Sequence, residues 1–574
     1  MVITHLYILI VLLSVLGAVT AVNFDQCIAE VQSGKWGTVG GTDNYGNPVS
    51  NISNATSITY ELCTRACGPG AEPFVWNIFS QQFSAWLLPY LALVAQLPFG
   101  ATDKLDNLVA VLLSVGSPTL AAYSLALTVL NGHWLARRFS RFAYPNVRSA
   151  VQVLSRLQQA PVRITTRGSL LASLVVLPEN NQWWTELVDW LDYTHTFTIS
   201  SIASILWVTI AFLFTVINSF TGTIVEETLN ANGQGVGSVY LWLLPIVIGW
   251  LQLGPKCDSG RLHRAIDRAN AEAYVASNRG PVPADEVSTD RAITLSKNTG
   301  RVHRDEQASP PVYNYARFLP WVQSVEEVYR VFDEASERAE RHVSVDPQVP
   351  WVPEEKGPGK VRAENRRGTL AQVEAYVHRA RPVSRSHWGP GVFSRFFVSS
   401  LVALGLTWAT TGAAVIVVWF TPTRGLGCRS GAYLLYGVLS TLVWMLLVTS
   451  SALAHYSTQV TYKADGQAVY TRTTRIAGAL SIALRRLGKV VATCNALWIV
   501  LACIFQFSSF FDRCYCNSSV LGLGRFAYDV IQLVDADIST MKAAWIGGVA
   551  LAGGSSILFV GFVNIFINPP LPPA

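Results

Sequence analysis

Long apolar runs recur along this chain, and their length restricts it to the folds that a lipid bilayer permits. Seven runs are each roughly 20 residues long, enough for a helix to cross a hydrocarbon core of about 30 Å. They are Leu108–Leu130, Ile199–Val225, Val236–Leu253, Phe396–Phe420, Ala432–Leu453, Val490–Phe511 and Ala543–Phe566. Only 14% of the 574 residues are charged, against about 25% in soluble domains. The sequence therefore predicts an all-α membrane protein with seven transmembrane helices.

An eighth apolar segment, Ser84–Phe99, is shorter than the others. Its apolar stretch runs only from Ala85 to Ala95, and Pro89 and Pro98 punctuate the segment. Stretches of about 10–14 residues are more often re-entrant, interfacial or buried than membrane-spanning. We therefore predict that this segment is re-entrant or interfacial. If it crossed the membrane in addition to the other seven, every later loop would change sides.

The first 21 residues have the pattern of a signal peptide. An apolar stretch ends in Val19-Thr20-Ala21, a small-residue sequence typical of cleavage sites. The alternative is an uncleaved first helix. Both interpretations place the chain from Val22 onward outside the cytosol.

The basic residues indicate which loops face the cytosol. Asn131–Thr198, Gly254–Arg395 and Ala454–Lys489 hold most of the lysines and arginines, and such residues are enriched in cytosolic loops. We predict a signal peptide (1–21), an extracellular or lumenal Cys-containing segment (22–83), a first part of the membrane bundle (84–253), a cytosolic loop (254–395), a second part of the bundle (396–566) and a cytosolic tail (567–574). The predicted location is the plasma membrane or a secretory-pathway membrane.

Cysteines and glycosylation sequons agree with this orientation. The sequons lie at Asn51, Asn54 and Asn517, all on the predicted outer side. Six cysteines lie there too, an even number that suits a disulfide set: Cys27, Cys63, Cys67, Cys428, Cys514 and Cys516. Cys27 can pair with Cys63 or Cys67, and Cys428 with Cys514 or Cys516, so the connectivity stays open. A zinc site is the alternative, but no further ligands stand at suitable spacing.

Two amphipathic helices are predicted in the cytosolic loop, which otherwise contains Pro-punctuated linkers. Ser324–Val343 carries Val325, Val328, Phe332 and Ala335 on one stripe, and Thr369–Ala380 repeats the pattern. We expect these helices to pack on each other or on the membrane face. The alternative is that they dock a cytosolic protein partner.

Two further stretches suit a membrane surface. Arg472–Lys489 combines apolar and basic residues in a pattern that can bind anionic membrane lipid. Asn181–Tyr193 carries Trp183, Trp184 and Trp190, which suit the headgroup level.

The sequence offers no catalytic chemistry. The predicted spans contain no Asp, Glu, Lys, Arg or His in their interiors, and no catalytic, cofactor-binding, metal or nucleic-acid motif is present. In the last span, small residues that indicate close helix packing recur every four positions at Ala544, Gly548, Ala552 and Ser556. Whether that contact lies within one chain or between two copies stays open, as does the oligomeric state.

WNIFSQQFSAWLLPYLALVAQLPFGA, Trp76–Ala101, followed by Asp106–Trp134, resembles a family of uncharacterised multi-pass membrane proteins from filamentous fungi. The resemblance covers about 60 residues and implies a fungal membrane protein without a known activity. The count of seven spans invites comparison with G-protein-coupled receptors. However, the last span lacks an N-P-x-x-Y sequence, so a receptor-like protein is only a second alternative.

We predict a non-enzymatic sensor or scaffold, because the polar residues are concentrated outside the bundle. The first alternative is a transporter or channel for an uncharged solute. It rests on VGSPT in the first span, since interrupted helices can form binding sites at the membrane midplane. A membrane-embedded enzyme would need a boundary residue such as His195, Glu226 or Glu227.

Overall fold

In the computed structural model, the described residues are 21–101, 104–166, 169–192, 197–221, 237–296, 300–353, 361–378, 388–458, 461–462, 468–469 and 471–572. All but the last residue of the predicted signal peptide lies outside them, as do Glu226, Glu227 and His195.

Helices dominate the described part of the chain. They are α1 (Phe24–Gln32), α2 (Tyr60–Ala66), α3 (Trp76–Val94), α4 (Lys104–Gly116), α5 (Pro118–Phe139), α6 (Val147–Arg156), α7 (Leu170–Val176), α8 (Asn181–Trp190), α9 (Ile199–Thr221), α10 (Leu243–Leu253), α11 (Ser259–Ala271), α12 (Ala284–Val287), α13 (Asn314–Glu340), α14 (Leu370–Val377), α15 (Val392–Trp419), α16 (Cys428–Ser457), α17 (Arg472–Phe507), α18 (Cys514–Asn517), α19 (Val520–Leu523) and α20 (Asp535–Phe566).

The strands are short and lie outside the long helices. They are β1 (Gly41–Thr42), β2 (Ser57–Thr59), β3 (Val162–Ile164), β4 (Tyr274–Ser277), β5 (Gly280–Pro283), β6 (Ile293–Leu295), β7 (Thr461–Tyr462), β8 (Ala468–Val469) and β9 (Tyr528–Val530). All pairings are antiparallel: β1–β2–β9 form one sheet, and β3–β6, β4–β5 and β7–β8 form pairs.

Four helices, α15, α16, α17 and α20, are long and apolar enough to span a membrane, which indicates an integral membrane protein. They overlap the last four predicted spans: α16 and α20 contain theirs entirely, whereas α15 ends at Trp419 and α17 at Phe507, before the predicted ends. Two shorter apolar stretches lie within the second and third predicted spans. They are Ile199–Phe214, which is part of α9, and Gly237–Leu253, which ends with α10.

The first predicted span, Leu108–Leu130, is not a straight helix. The chain turns by 103° between α4 and α5, so the pair is either one broken span or a re-entrant loop. Pro118 is the first residue of α5, and it cannot donate the backbone hydrogen bond that would continue α4. The interruption lies within the VGSPT sequence noted in the first predicted span.

Most of Ser84–Phe99 belongs to α3, which begins earlier, at Trp76, and ends at Val94. Successive aromatic rings contact one another along it, with centroid separations of 5.3, 6.1 and 5.5 Å for Phe79–Phe83, Phe83–Trp86 and Trp86–Tyr90. Contacts between aromatic side chains stabilise this helix, and the run of aliphatic residues alone underestimates its length.

Three disulfides hold together a small unit at one end of the bundle. This disulfide unit comprises residues 21–75, 420–428 and 508–534. Its disulfides are Cys27–Cys67, Cys63–Cys514 and Cys428–Cys516. The β1–β2–β9 sheet joins the N-terminal segment to the last loop, with Ile58 opposite Asp529. The three chain segments therefore lie on the same side of the bundle.

At the opposite end, residues 140–192 and the described part of 254–378 fold together as a second unit, the loop unit. Strand β3 of the first segment pairs with β6 of the second, with Val162 opposite Leu295. Their shared core includes Val325 and Phe332, both 0% exposed. The predicted stripe of α13 is thus covered within the chain.

Trp183 and Trp184 also lie in the core of the loop unit, where Trp184 Nε1 donates to the carbonyl oxygen of Leu174 at 3.0 Å. Their assignment to the headgroup level was wrong, because indoles can fill a protein core as well as a membrane interface.

Candidate functional site

Among the contacts between the loop unit and the bundle are those of residues 300–313, which we call the connecting segment. It contains two short 3-10 turns, Arg304–Gln307 and Pro311–Tyr313, and leads directly into α13. Its side chains and carbonyl groups contact α5 and α17. We call this set of contacts the junction.

Asp305 is the central residue of the junction, and it is 3% exposed. Its Oδ1 lies 2.7 Å from Lys489 Nζ and 3.8 Å from Arg485 Nε, both on α17. Its Oδ2 accepts a hydrogen bond from the Tyr315 hydroxyl. A carboxylate with so little exposure needs such partners, since an unpaired buried charge costs several kcal/mol, on the order of 3–5.

Arg485 contributes more than charge. Its guanidinium donates to the carbonyl oxygens of Val302 and Arg301, both at 2.5 Å. Burial, assisted by the Asp305 carboxylate, raises the pKa of Tyr315, which keeps its hydroxyl protonated as the donor to Asp305. The connecting segment is therefore held at both its backbone and its acidic side chain.

Glu306, the next residue, is paired within the loop unit. Its Oε2 lies 3.3 Å from Arg163 Nη2 on β3, and its Oε1 contacts Nδ1 of His303. Neighbouring carboxylates thus point in opposite directions, Asp305 toward the bundle and Glu306 toward the loop unit. A displacement of this turn would alter both sets of ion pairs.

The far end of the connecting segment is attached to α5. The Ser124 hydroxyl donates to the carbonyl oxygen of Val312 at 3.2 Å, and Asn314 Nδ2 donates to Thr128 Oγ1. The junction therefore involves two helices of the bundle, α5 and α17.

The bend between α4 and α5 forms a second polar cluster, in the middle of the bundle. Ser117 donates to the Ser440 carbonyl oxygen at 2.7 Å, and the Thr119 backbone N–H donates to Ser440 Oγ at 3.2 Å. Asn495 donates from Nδ2 to the Gly116 carbonyl oxygen at 2.8 Å. Asn495 Oδ1 has no partner among the described residues, but the other bonds make the bend a packed contact among α4, α5, α16 and α17.

The remaining predicted residues lie away from the junction. Asn51 and Asn54 are exposed, whereas Asn517 is half-buried, with Oδ1 3.4 Å from Arg429 Nη1. The small residues of α20 face α15: a Cβ at Gly548 would lie 2.8 Å from Val417 Cγ2. That row thus makes a contact within one chain.

Three cysteine sulfur atoms, those of Cys63, Cys67 and Cys514, lie within 4.8 Å of one another. Metals bind cysteine as the thiolate, and all three sulfurs are engaged in disulfides. This group is a disulfide cluster.

Sequence reasoning missed the junction. Arg485 and Lys489 were assigned to a lipid-binding surface helix, but α17 continues without interruption from Arg472 to Phe507, and Arg485 is buried. Arg472 and Arg486 on the same helix remain exposed. The sequence feature that could have indicated the junction is HRDE, His303–Glu306. Its acidic residues are opposite in charge to the basic residues of α17, but they lie in a segment that resembled a linker.

No protein-family model matches the chain, and no curated protein and no solved structure shows significant similarity to it.

Proposed function

We propose that the protein is a non-enzymatic sensor or scaffold of the plasma membrane or a secretory-pathway membrane. The observation that supports this most is the position of Asp305, a buried carboxylate of the loop unit paired with two cations of the long apolar helix α17. Such a contact couples the position of a membrane helix to the conformation of the loop unit.

The proposed topology has seven crossings and one re-entrant helix pair. α3 leaves the disulfide unit, where the Glu72 N–H donates to the Asp512 carbonyl oxygen, and ends near Gly100, which packs against the Cys257 backbone beside the loop unit. α4 starts from that same side. α5 returns to it, since Arg138 near its end pairs with Glu326 of α13 at 3.2 Å.

In this topology α3 crosses and α4–α5 does not. The other crossings are α9, Gly237–Leu253, α15, α16, α17 and α20. Irregular backbone at membrane depth is tolerated where protein surrounds it, as it does at Ser117.

We place the disulfide unit outside the cytosol, following a cleaved signal peptide, because disulfides persist in oxidising compartments. The test is the glycosidase-sensitive mass shift of the full chain compared with Asn517→Gln and with Asn51→Gln/Asn54→Gln. Loss of glycan in each variant is expected. A chain that carries no glycan, with Cys514 and Cys516 accessible only from the cytosol, would reverse the orientation.

The sensor role is tested by breaking the junction and following the loop unit. Hydrogen–deuterium exchange of the full chain should show faster exchange across 300–317 in Lys489→Ala than in the wild type. The matched control is Arg486→Ala, which removes an exposed cation from the same turn of α17. Equal exchange in both variants would contradict coupling between α17 and the loop unit.

A transporter for an uncharged solute is the second candidate. The bend between α4 and α5 favours it, because transporters often form midplane sites at interrupted helices. The hydrogen bonds from Ser117 to Ser440 and from Asn495 to Gly116 favour a static contact instead. Flux of a neutral solute into proteoliposomes that is lost on Asn495→Ala would support the transporter.

A further inference from the structure

Two disulfides of the disulfide unit lie side by side. The sulfur atoms of Cys63, Cys67 and Cys514 are all within 4.8 Å of one another, although Cys67 is bonded to Cys27 and the other two are bonded to each other. Cys63 and Cys67 lie one turn apart at the end of α2, where the Cys67 N–H donates to the Cys63 carbonyl oxygen at 2.8 Å. The Cys514 sulfur lies at the same helix end, 3.6 Å from the Gly68 carbonyl oxygen. The Cys67 sulfur is therefore a close non-bonded neighbour of the Cys63–Cys514 bond.

The two disulfides differ in their access to solvent. Cys63 and Cys514 are 0% and 1% exposed, and Cys27 is 5% exposed. Cys67, in contrast, is only half-buried, and Arg65, two residues before it, is exposed. A reductant in solution therefore reaches Cys67 first. It can cleave Cys27–Cys67 while Cys63–Cys514 remains shielded.

A buried carboxyl group lies beside the shielded disulfide. Oδ2 of Asp529, on β9, is 3.4 Å from the Cys63 sulfur, and Asp529 is 2% exposed. Burial raises the pKa of this carboxyl well above its usual 3.8, which favours its protonated form. A disulfide sulfur has no proton to donate, so the carboxyl group is the donor in this contact. The structure thus places a proton source next to Cys63.

We propose that Cys27–Cys67 and Cys63–Cys514 form a thiol–disulfide exchange site that responds to a dithiol reductant outside the cytosol. One thiolate of the reductant attacks the Cys67 sulfur, and Cys27 leaves and takes a proton from water. The second thiolate of the reductant then attacks the reductant's own sulfur in the mixed disulfide. This step releases Cys67 as a thiolate and the reductant as its cyclic disulfide. The two electrons of the dithiol have then reduced one protein disulfide.

The freed Cys67 thiolate next attacks the Cys514 sulfur. The Cys67–Cys514 bond forms as the Cys63–Cys514 bond breaks, and the electron pair of the broken bond stays on Cys63. The proton of Asp529 neutralises the Cys63 thiolate, because an unpaired charge on a fully buried residue is costly, and water reprotonates Asp529. The attacking sulfur must move from within 4.8 Å to about 3–3.5 Å, which rotation of the freed Cys67 side chain can provide.

The exchange changes which segments are covalently joined. Before it, Cys27–Cys67 joins α1 to the end of α2, and Cys63–Cys514 joins α2 to the last loop. After it, Cys67–Cys514 preserves the second link, whereas α1 is no longer linked to α2. The use of this change as a signal rests on the proposed sensor function, but the exchange itself does not.

The test maps the disulfides of the detergent-purified full chain during graded reduction with dithiothreitol. Thiols are trapped with N-ethylmaleimide and assigned by peptide mass spectrometry, which separates them from the cysteines that are free before reduction. We expect peptides joined by Cys67–Cys514, with the trapping reagent on Cys27 and Cys63.

Two results of this mapping would contradict the exchange. Cys27 and Cys67 could both be trapped while Cys63–Cys514 stays intact, which would overturn the proposal. A Cys63–Cys67 bond with Cys514 trapped would overturn the assignment of Cys63 as the leaving group.

Cys27→Ser tests the exchange without a reductant, since it leaves Cys67 as a free thiol. We expect part of the purified variant to contain Cys67–Cys514 and a free Cys63. Cys428→Ser is the matched control, because it frees Cys516, whose sulfur is not in the group of three. The control should retain Cys63–Cys514 in every molecule. The same result in Cys27→Ser would overturn the proposal, and if Cys27→Ser does not fold, the reduction of the wild type still decides.

Asp529→Asn tests the proton donor. It should slow the formation of Cys67–Cys514 by about tenfold or more, while the loss of Cys27–Cys67 keeps its wild-type rate. Equal slowing of both steps, or of neither, would overturn the role of Asp529. Failure of the sensor function is distinguishable, because Lys489→Ala should form Cys67–Cys514 as the wild type does, whether or not it alters hydrogen–deuterium exchange in the loop unit.

Discussion

Lys489 Nζ lies 2.7 Å from Asp305 Oδ1, and this pair joins a helix of span length to a turn of the loop unit. Asp305 is almost fully buried, whereas the Lys489 side chain retains 29% exposure. The pair therefore lies at the edge of a region sheltered from water, where a charge contact is stronger than on an open surface.

The coupling between these two residues can be measured with a double-mutant cycle. We expect Lys489→Ala alone to destabilise the chain by about 1–3 kcal/mol, because Arg485 and Tyr315 still partner Asp305. Adding Asp305→Asn should recover part of that loss, since it removes the buried charge. The measurement is the free energy of unfolding in denaturant titrations of all four proteins. Strictly additive effects would mean that the pair contributes no coupling.

At Gly116, the backbone of α4 packs closely against that of α17. A Cβ at this position would lie 1.9 Å from the Ala492 carbonyl oxygen, a backbone atom that cannot turn aside. Gly116→Ala should therefore separate the helices and destabilise the chain by about 1–3 kcal/mol or more.

Gly412→Ala is the control for Gly116→Ala. Gly412 lies within α15 and has nothing within 4 Å of an added Cβ. Alanine there should be neutral or stabilising by up to about 1 kcal/mol, because it favours the helix. Thermal unfolding of the two variants in the same detergent makes the comparison. Similar stability of both variants would show that α4 and α17 are not in contact at Gly116.

The disulfide connectivity predicts which fragments remain joined after cleavage. Only Cys63–Cys514 links the first half of the chain to the second, since Cys27–Cys67 and Cys428–Cys516 each lie within one half. A protease site introduced between residues 354 and 360 should give fragments that migrate together without reductant and separate with it. Cys63→Ser/Cys514→Ser should separate them in both conditions. Joined fragments in that double variant would require a different connectivity.

The hydrophobic pattern predicted the helical class and the last four spans, because aliphatic runs report burial in lipid directly. It also predicted seven crossings, but assigned the first to Leu108–Leu130. In the proposed topology α3 crosses the membrane instead, and α4–α5 is re-entrant. The number of crossings before each later loop is therefore the same. The predicted side of the membrane for each later loop depends only on that number, so it is the same in both topologies.

Other features required three-dimensional information. Hydropathy did not predict that α3 begins at Trp76, because its contacts are aromatic and its flank is polar. The stripe containing Val325 and Phe332 correctly indicated a helix, but its cover comes from residues 140–192, far away in the sequence. The partners of Arg485 lie in a segment whose composition resembles a flexible linker.

Asp529 should make the disulfide unit more stable in acid. Burial raises the pKa of this carboxyl well above its usual 3.8, and Asp512 and Glu72 add to the shift while Arg429 opposes it. The folded chain therefore binds this proton more tightly than the unfolded chain does. Its contribution to stability is greatest at low pH and falls as the pH rises from about 4 through the raised pKa.

Asp529→Asn should remove that part of the pH dependence and stabilise the unit at neutral pH. Asp535→Asn, which neutralises an exposed carboxylate nearby, should leave the dependence unchanged. Unfolding midpoints between pH 5 and pH 8 provide the comparison. The unfolding midpoint of the wild type could instead rise with pH, and Asp529→Asn could leave that rise unchanged. This result would show that Asp529 is not protonated in the folded chain.

Lys104 and Arg137 distinguish a re-entrant α4–α5 pair from a crossing one. Both side chains are exposed, near the start of α4 and the end of α5, and in the proposed topology both face the cytosol. A straight span over Leu108–Leu130 would place them on opposite sides. We expect Lys104→Cys and Arg137→Cys to react with a membrane-impermeant thiol reagent only when the cytosolic face is accessible. The wild-type chain, labelled in parallel, corrects for Cys257, Cys494 and Cys503. Reaction of Lys104→Cys from the outside alone would show that α4–α5 crosses the membrane. In that case α3 could not cross as well, because the later loops would then change sides. α3 would instead lie along the membrane surface.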